Sequence, residues 1–125
     1  MAATKPTHEK PLHWVASAKR DLLGFDGAVI DDIGYALGVV QLGGTPNAAK
    51  AWKGEGAGVM EIVEDHRGDT YRAVYTVRFA QAIYVLHCFQ KKSASGIKTA
   101  KTDVELIRAR LKLAQSDYEA HYEKD

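Results

Sequence analysis

Apolar and polar residues alternate strictly along residues 70–79. One face of this segment carries Tyr71, Ala73, Tyr75, Val77 and Phe79, and the other carries Arg72, Val74, Thr76 and Arg78. A period of two predicts a β-strand with one face turned to the core. Residues 59–65 and 82–90 are predicted to be neighbouring strands, because only short turns separate the three segments. Residues 82–90 are apolar on both faces, as a central strand is, and residues 11–15 suit a first or edge strand.

Helical spacing of apolar residues appears before these strands. The stripe consists of Ile30, Ile33, Leu37 and Val40, at intervals of 3, 4 and 3 residues. This spacing places the four side chains on one face of an α-helix. Asp26 is predicted to cap the helix, Gly43–Gly44 to end it, and Ser17 to cap a shorter helix before it. Residues 45–58 are predicted to form a loop.

A second helical stripe follows the strands. Thr102 and Glu105 have the spacing of a capping box, and the stripe after it contains Val104, Ile107, Leu111 and Ala114. The complete order is β, α, α, β, β, β, α. It predicts an α+β fold with the helices on one side of a small, mainly antiparallel sheet. Residues 1–10 are predicted to be a flexible lead, and residues 11–125 a single domain.

Composition narrows the class of protein. The chain of 125 residues is 46% hydrophobic and 26% charged, which is ordinary for one globular domain. No apolar run approaches the ~18–20 residues that cross a bilayer, and the N-terminus lacks the apolar segment of a secretory signal. The single cysteine, Cys88, forms no internal disulfide, which fits the cytoplasm. The histidines and Cys88 lack metal-ligand spacing, so neither a metal site nor a cofactor is predicted.

The net charge of +1 hides a strongly basic block. Residues 66–112 carry 10 Lys or Arg against three acids, whereas the segments on either side are both net acidic. A concentrated basic region attracts phosphates even when the whole molecule is nearly neutral. A lysine-rich solvated surface explains the same pattern, so charge alone leaves both interpretations open.

The predicted strands bring basic side chains toward acid–base candidates. Arg72 and Arg78 share a strand face, and Lys91 and Lys92 end the next strand, so the four are predicted to line one cationic concavity. Such a surface holds an RNA backbone and offsets the charge of a phosphoryl transition state. Glu61 and His87 are the nearby candidates for proton transfer. The alternatives are a buried, hydrogen-bonded His87 and a solvent-facing Glu61.

Candidate RNA contacts flank these strands. Trp52 and Lys53 precede the glycine-rich residues 54–58. In one interpretation these two side chains stack on a base or contact a phosphate, and in the other Trp52 covers the core. Lys98, in the basic block, is a further candidate. The glycine run lacks the GKS/T of a phosphate-binding loop, so a flexible turn is the better interpretation. Cys88 is predicted to be inert packing.

Three segments in this order resemble a known family. They are TYRAVYTVRF, AIYVLHCFQKKSASGIKT and a capped DVELIRARLKLA. Together they resemble the HigB-like, phage-derived branch of the RelE/ParE toxin superfamily, over about residues 11–115. The resemblance implies a small RelE-like domain, with helices on a curved antiparallel sheet. It also implies a type II toxin that cuts mRNA in the ribosomal A site and a helix-turn-helix, HigA-like antitoxin that neutralises it.

The resemblance also assigns roles to residues. Arg72 matches the arginine that contacts the scissile phosphate in RelE-type toxins, and Lys91 and Lys92 match basic positions, Lys92 that of a second phosphate-binding residue. Two features depart from the RelE pattern. The lysine pair of its second strand falls near Glu61 and Val63, and its C-terminal catalytic tyrosine has no clear equivalent after Lys92. The acid and base must therefore differ, with Glu61 and His87 as substitutes.

Two other functions are compatible with the same resemblance. One is a ParE-type topoisomerase poison, which cuts no RNA, because the fold is shared. The other is an inactive relative that acts only by binding proteins, because the lysine pair and the tyrosine are missing.

Overall fold

The computed structural model describes residues 9–91 and 100–123. Its five strands are β1 (Leu12–Trp14), β2 (Ala49–Ala51), β3 (Val59–His66), β4 (Asp69–Thr76) and β5 (Ile83–Lys91). Its three helices are α1 (Ala18–Leu23), α2 (Gly27–Gln41) and α3 (Lys101–Tyr122). The predicted α+β class is confirmed.

The strands form one sheet in the order β1-β5-β4-β3-β2. β1 pairs in parallel with β5, and the other neighbours are antiparallel. The interior position predicted for β5 is confirmed, since it has a neighbour on each side. The prediction of a loop over residues 45–58 is wrong at residues 49–51, which form β2 and pair with β3. Three residues with one lysine between two alanines are too short a pattern to reveal a strand.

The first face of the sheet is covered by α1 and α2. Its core contains the predicted helical residues Ile33, Leu37 and Val40, all buried. Asp26 caps α2 as predicted, since its Oδ1 accepts a hydrogen bond of 3.1 Å from the Ala28 N–H. Ser17 does not cap α1 with its side chain.

The Ser17 hydroxyl instead donates to Asp21 Oδ2 at 2.8 Å. Its backbone, at φ −89° and ψ 9°, lacks the extended conformation in which an N-cap side chain reaches the first free N–H groups. The Ser17 side chain therefore bonds to a residue within α1. It does not cap the N–H groups at the start of the helix.

The second face of the sheet is covered by α3, which corrects the prediction that all helices lie on one side. Ile107, Leu111 and Ala114 of α3 are buried there against Leu86 and Tyr84 of β5 and other residues of a second core cluster. The reason lies in β5, whose two apolar faces both need cover from water. The stripe of α3 was predicted correctly, and only its side of the sheet was wrong.

The start of α3 also differs from the prediction. The helix begins at Lys101, and Ala100 stands at the N-cap with no side-chain bond. Thr102 therefore lies inside the first turn, where its hydroxyl cannot act in the predicted capping box. Asp103 is consequently available for a different contact, described below.

β4 ends at Thr76, three residues earlier than predicted. The Thr76 hydroxyl donates to the Gly58 carbonyl at 2.9 Å and accepts a bond of 3.1 Å from the Arg78 N–H. These bonds turn the chain away from its strand direction. As a result Phe79 packs in the core of the second face, and Val77 is exposed, so neither continues the first-face row.

Cys88 lies in the first-face core, where burial raises the pKa of its thiol to about 12. We expect a thiol reagent at pH 8 to leave the native protein unmodified, because the thiolate is the reactive form. Labelling should accelerate only when denaturant unfolds the chain, with the same midpoint as circular dichroism. Rapid labelling in native buffer would contradict this and would show that the first-face core opens locally.

Candidate functional site

A cavity opens on the second face of the sheet, where the end of β2, the middle of β3 and β4 and the first turn of α3 meet. Its volume is about 460 Å³, within the range of ligand sites. It is lined by Lys50, Ala51, Trp52, Lys53, Glu61, Arg72 and Val104. Sequence reasoning selected four of these: Trp52, Lys53, Glu61 and Arg72. It missed Lys50, which lies in the strand that the sequence pattern did not reveal.

An ion pair between Arg72 and Glu61 forms the wall of this cavity. Arg72 on β4 lies opposite Val63 of β3, so Glu61, two residues away on the same face, is its diagonal neighbour. Arg72 Nη1 donates to Glu61 Oε1 at 2.6 Å, and the two side chains are 15% and 8% exposed. A charge-assisted bond this short and shielded holds the guanidinium in a fixed orientation. Glu61 is therefore not the solvent-facing residue of the alternative interpretation.

Lys91 extends the charged cluster from the end of β5. Its side chain is buried, and burial is the main reason that the pKa of its ammonium group is lowered. The Arg72 charge lowers this pKa further, while the charges of Glu61 and Asp103 oppose the effect. The structure thus brings Lys91 within electrostatic reach of the Arg72–Glu61 pair. A lysine with a lowered pKa gives up its proton more readily than an ordinary lysine.

His87 lies beside the cavity, where it is buried and hydrogen-bonded. Its Nε2 is 2.8 Å from Asp103 Oδ1, and its Nδ1 is 3.4 Å from Arg110 Nη1. Because a guanidinium only donates, Nδ1 is the acceptor and Nε2–H donates to the carboxylate. His87 also stacks on Phe89, with ring centroids 4.8 Å apart. These contacts match the alternative of a buried, hydrogen-bonded His87.

Arg78 lies outside the cavity wall. Its Nε donates to the Ala57 carbonyl at 3.1 Å, and its Nη2 donates to the Glu55 carbonyl at 2.5 Å. The prediction placed it beside Arg72 because the strand was extended to Phe79. Instead, Arg78 stabilises the glycine-rich turn over residues 53–58 through these two hydrogen bonds. Glu55 connects the same turn to α3 through an ion pair of 3.0 Å with Arg108.

One family profile matches the chain over residues 20–112, that of the family described as Phage derived protein Gp49-like (DUF891). The chain belongs to this family. The Gp49-like family is phage-derived and RelE/toxin-like, so the resemblance to the toxin superfamily is confirmed at that level, and the HigB-like branch stays a prediction. The matched residues include the whole cavity wall and β5. No curated protein and no solved structure matches the chain.

Two lysines that the sequence predicted as site residues of this Gp49-like chain, Lys92 and Lys98, lie outside the described residues. Within residues 9–91 and 100–123, no helix is long and apolar enough to cross a membrane. In the same ranges, no three His, Cys, Asp or Glu side chains come together as metal ligands would.

The glycine-rich turn of the Gp49-like protein depends on Gly58. Its φ is +85°, and an added Cβ would lie 3.1 Å from the Arg78 Cα. We expect Gly58→Ala to lower the free energy of unfolding by roughly 1–2 kcal/mol from the left-handed conformation alone, and by more through the crowding. Urea denaturation measures this change.

Gly38→Ala is the matched control for Gly58→Ala. Gly38 lies inside α2, and an added Cβ there would meet no atom within 4 Å. The control should gain up to about 1 kcal/mol from helix propensity. Equal stability of the two variants would show that the turn does not require a glycine.

Proposed function

We propose that this Gp49-like protein is the toxin of a type II toxin–antitoxin system, and that it is an endoribonuclease acting on mRNA at the ribosome. The observation that carries the proposal is the Arg72–Glu61 pair in the wall of a cationic cavity, with Lys91 in electrostatic reach. Membership of a toxin-like family supports the toxin role. The antitoxin is proposed to be a helix-turn-helix, HigA-like protein, and both are proposed to act in the cytoplasm.

The charges of the cavity suit a phosphodiester. Lys50, Lys53 and Arg72 contribute three cations to the lining and Glu61 one carboxylate, so an anionic backbone is attracted. Arg72 would neutralise the charge that builds up on the non-bridging oxygens as the transition state forms. Its bond to Glu61 holds it in that orientation before the substrate arrives, so little reorganisation is needed during the reaction.

The proposed reaction uses the 2′-hydroxyl of RNA as the nucleophile. Glu61 takes the proton of this hydroxyl through Oε2, since Oε1 accepts from Arg72. The 2′-oxygen then forms a bond to phosphorus, and the bond from phosphorus to the 5′-oxygen breaks. The Lys91 ammonium, with its lowered pKa, gives a proton to the leaving 5′-oxygen. The products are a 2′,3′-cyclic phosphate and a 5′-hydroxyl, and no metal is required by this chemistry.

His87 has a positioning role in this proposal. Its Nε2–H is engaged by Asp103 and its Nδ1 faces Arg110, so proton transfer to RNA would first require both contacts to break. The contact with Asp103 holds the first turn of α3 against β5, and that turn supplies Val104 to the cavity wall. His87 therefore keeps the wall in place.

The test is 5′-end mapping of a defined message in a reconstituted translation reaction, with and without ribosomes. Cuts that appear only on translated message, with 5′-hydroxyl ends, support the proposal. Cuts on free message would support a ribonuclease but remove the ribosome from it. If the message stays intact while expressing cells accumulate DNA damage, the protein is a topoisomerase poison. Intact message and normal growth would indicate a role in protein binding only.

A further inference from the structure

Two buried N–H groups in the described part of the chain have no hydrogen-bond partner and belong to residues of the same cavity wall. They are Trp52 Nε1–H and Arg72 Nε–H, each with less than 1 Å² of exposed surface. A buried donor without an acceptor costs roughly 1–3 kcal/mol, and native proteins keep few of them. The third such nitrogen, His66 Nε2, lies elsewhere and has a carboxylate 3.4 Å away, from Asp26.

Both donors are held in place by their surroundings. Trp52 is 7% exposed and belongs to the second-face core, together with Val59 and Val74, and its backbone N–H bonds to the Val59 carbonyl at 2.9 Å. Arg72 is fixed by its bond to Glu61. The unmet donors are thus not a consequence of loose side chains. With so little of the indole exposed, its ring offers no open face on which a base stacks.

The two unpaired donors lie near cationic side chains. An anion with several oxygens can accept hydrogen bonds from both donors and is attracted by the cations. A non-bridging phosphate oxygen only accepts hydrogen bonds, whereas most nucleobase edges carry donors as well. Lys50 and Lys53 are exposed on the same wall, and their long side chains turn aside readily to admit a ligand. The cavity, at about 460 Å³, is larger than a phosphate group alone needs. It therefore accommodates a phosphate that is part of a nucleotide.

We propose that Trp52 Nε1–H and Arg72 Nε–H together bind one phosphodiester group of the RNA, so that Trp52 contacts the substrate as a hydrogen-bond donor and not as a stacking platform. This subsite rests on the proposed function, because it is the phosphate held by Arg72 that Trp52 also binds. A nucleotide that fills the cavity displaces water from around the two donors, and the low local dielectric then strengthens their bonds to the anion.

The test follows the indole N–H signals of the ¹⁵N-labelled full chain by NMR. The chain has two tryptophans, so Trp14 is an internal reference. It lies in β1, at the opposite edge of the sheet from β2, and the variants Trp14→Phe and Trp52→Phe assign the two signals. The probes are an oligoribonucleotide that is 2′-O-methylated throughout, a DNA of the same sequence, and inorganic phosphate. The methylated RNA lacks the nucleophile and stays intact.

The expected result is a saturable shift of the Trp52 signal with the oligoribonucleotide, while the Trp14 signal stays in place. Trp52→Phe should weaken binding of this probe about tenfold, the loss of one bond to a charged group, and Trp14→Phe should leave it unchanged. DNA shares the phosphodiester, so its shift of Trp52 would also support the subsite. If inorganic phosphate gives the full shift at the same concentration as RNA, the site binds free phosphate, and the proposed RNA contact is wrong.

Cleavage of an unmodified message by the same preparation separates this inference from the proposed function. Cleavage with an unmoved Trp52 signal during binding of the methylated RNA would overturn the subsite and leave the endoribonuclease standing. A shifted Trp52 signal without cleavage would support the subsite and count against the enzyme. If no probe is bound and nothing is cleaved, both are wrong.

Discussion

Replacing Arg72 with alanine should lower the rate of mRNA cleavage by about 10²–10³-fold, the usual cost of removing one preorganised group that stabilises transition-state charge. The guanidinium is a partly buried cation of the cavity wall, and its bond of 2.6 Å to Glu61 Oε1 orients it before substrate binds. Growth of cells expressing the variant should recover in parallel. The measurement is the rate of appearance of new 5′ ends on a translated message.

The Arg72→Ala variant needs a stability control, because Glu61 loses its partner while buried. Unpairing a buried charge costs up to about 3–5 kcal/mol, so cleavage is compared only below the measured melting temperature. The double variant Arg72→Ala with Glu61→Gln removes the unpaired charge and should regain stability without regaining cleavage. Arg20→Ala is the matched charge control, since Arg20 is exposed on α1 over the other face. Full cleavage by a folded Arg72→Ala protein would remove Arg72 from the mechanism.

Replacing Glu61 with glutamine should lower cleavage by about 10²–10⁴-fold, the usual contribution of a general base. Glutamine still offers Arg72 an oxygen acceptor at the same place, so the guanidinium keeps its orientation and the change is confined to proton transfer. The measurement is the rate of appearance of new 5′ ends on a translated message.

Glu64→Gln is the control for Glu61→Gln, because Glu64 lies on the same strand but on the other face of the sheet. Burial and the charges of Asp32 and Asp65 raise the pKa of Glu64. The charged form therefore destabilises the fold above this pKa, and the control should be slightly more stable at neutral pH and cleave normally. If Glu61→Gln cleaves as fast as the control, Glu61 only positions Arg72 and a different group is the base.

The alternating and helical patterns predicted most of the fold because each element buries at least one regular face. The stripe of α2 behaves in this way, whereas β4 also buries Val74 and Thr76 on its other face. The side of the sheet that α3 covers was not predictable, since β5 is apolar on both faces and the pattern is the same for either choice. β2 was not predictable either, because its residues are held by pairing with β3 and have no periodicity of their own.

The candidate site was partly predictable for a similar reason. Alternation puts Glu61 and Arg72 on one face of neighbouring strands, but only the register makes them diagonal neighbours at bonding distance. The contact of His87 with Asp103 joins a strand to a helix, and the sequence patterns of the two elements do not report how they pack together. The burial of Lys91, which lowers its pKa, is a property of the packed structure that no strand pattern reports. Sequence patterns report the direction of a side chain, whereas these properties depend on what lies opposite it.

The parallel pairing of β1 with β5 sets an order of assembly. Leu12 pairs with Ile83, so this part of the sheet waits until most of the chain has been synthesised. The β3–β4 hairpin, which carries Glu61 and Arg72, is complete earlier and contains only local pairings, which form fastest. At that stage its ion pair is open to water and contributes at most about 1 kcal/mol. Val104 and Lys91 come later, so a growing chain holds its charged pair well before the cavity wall is complete.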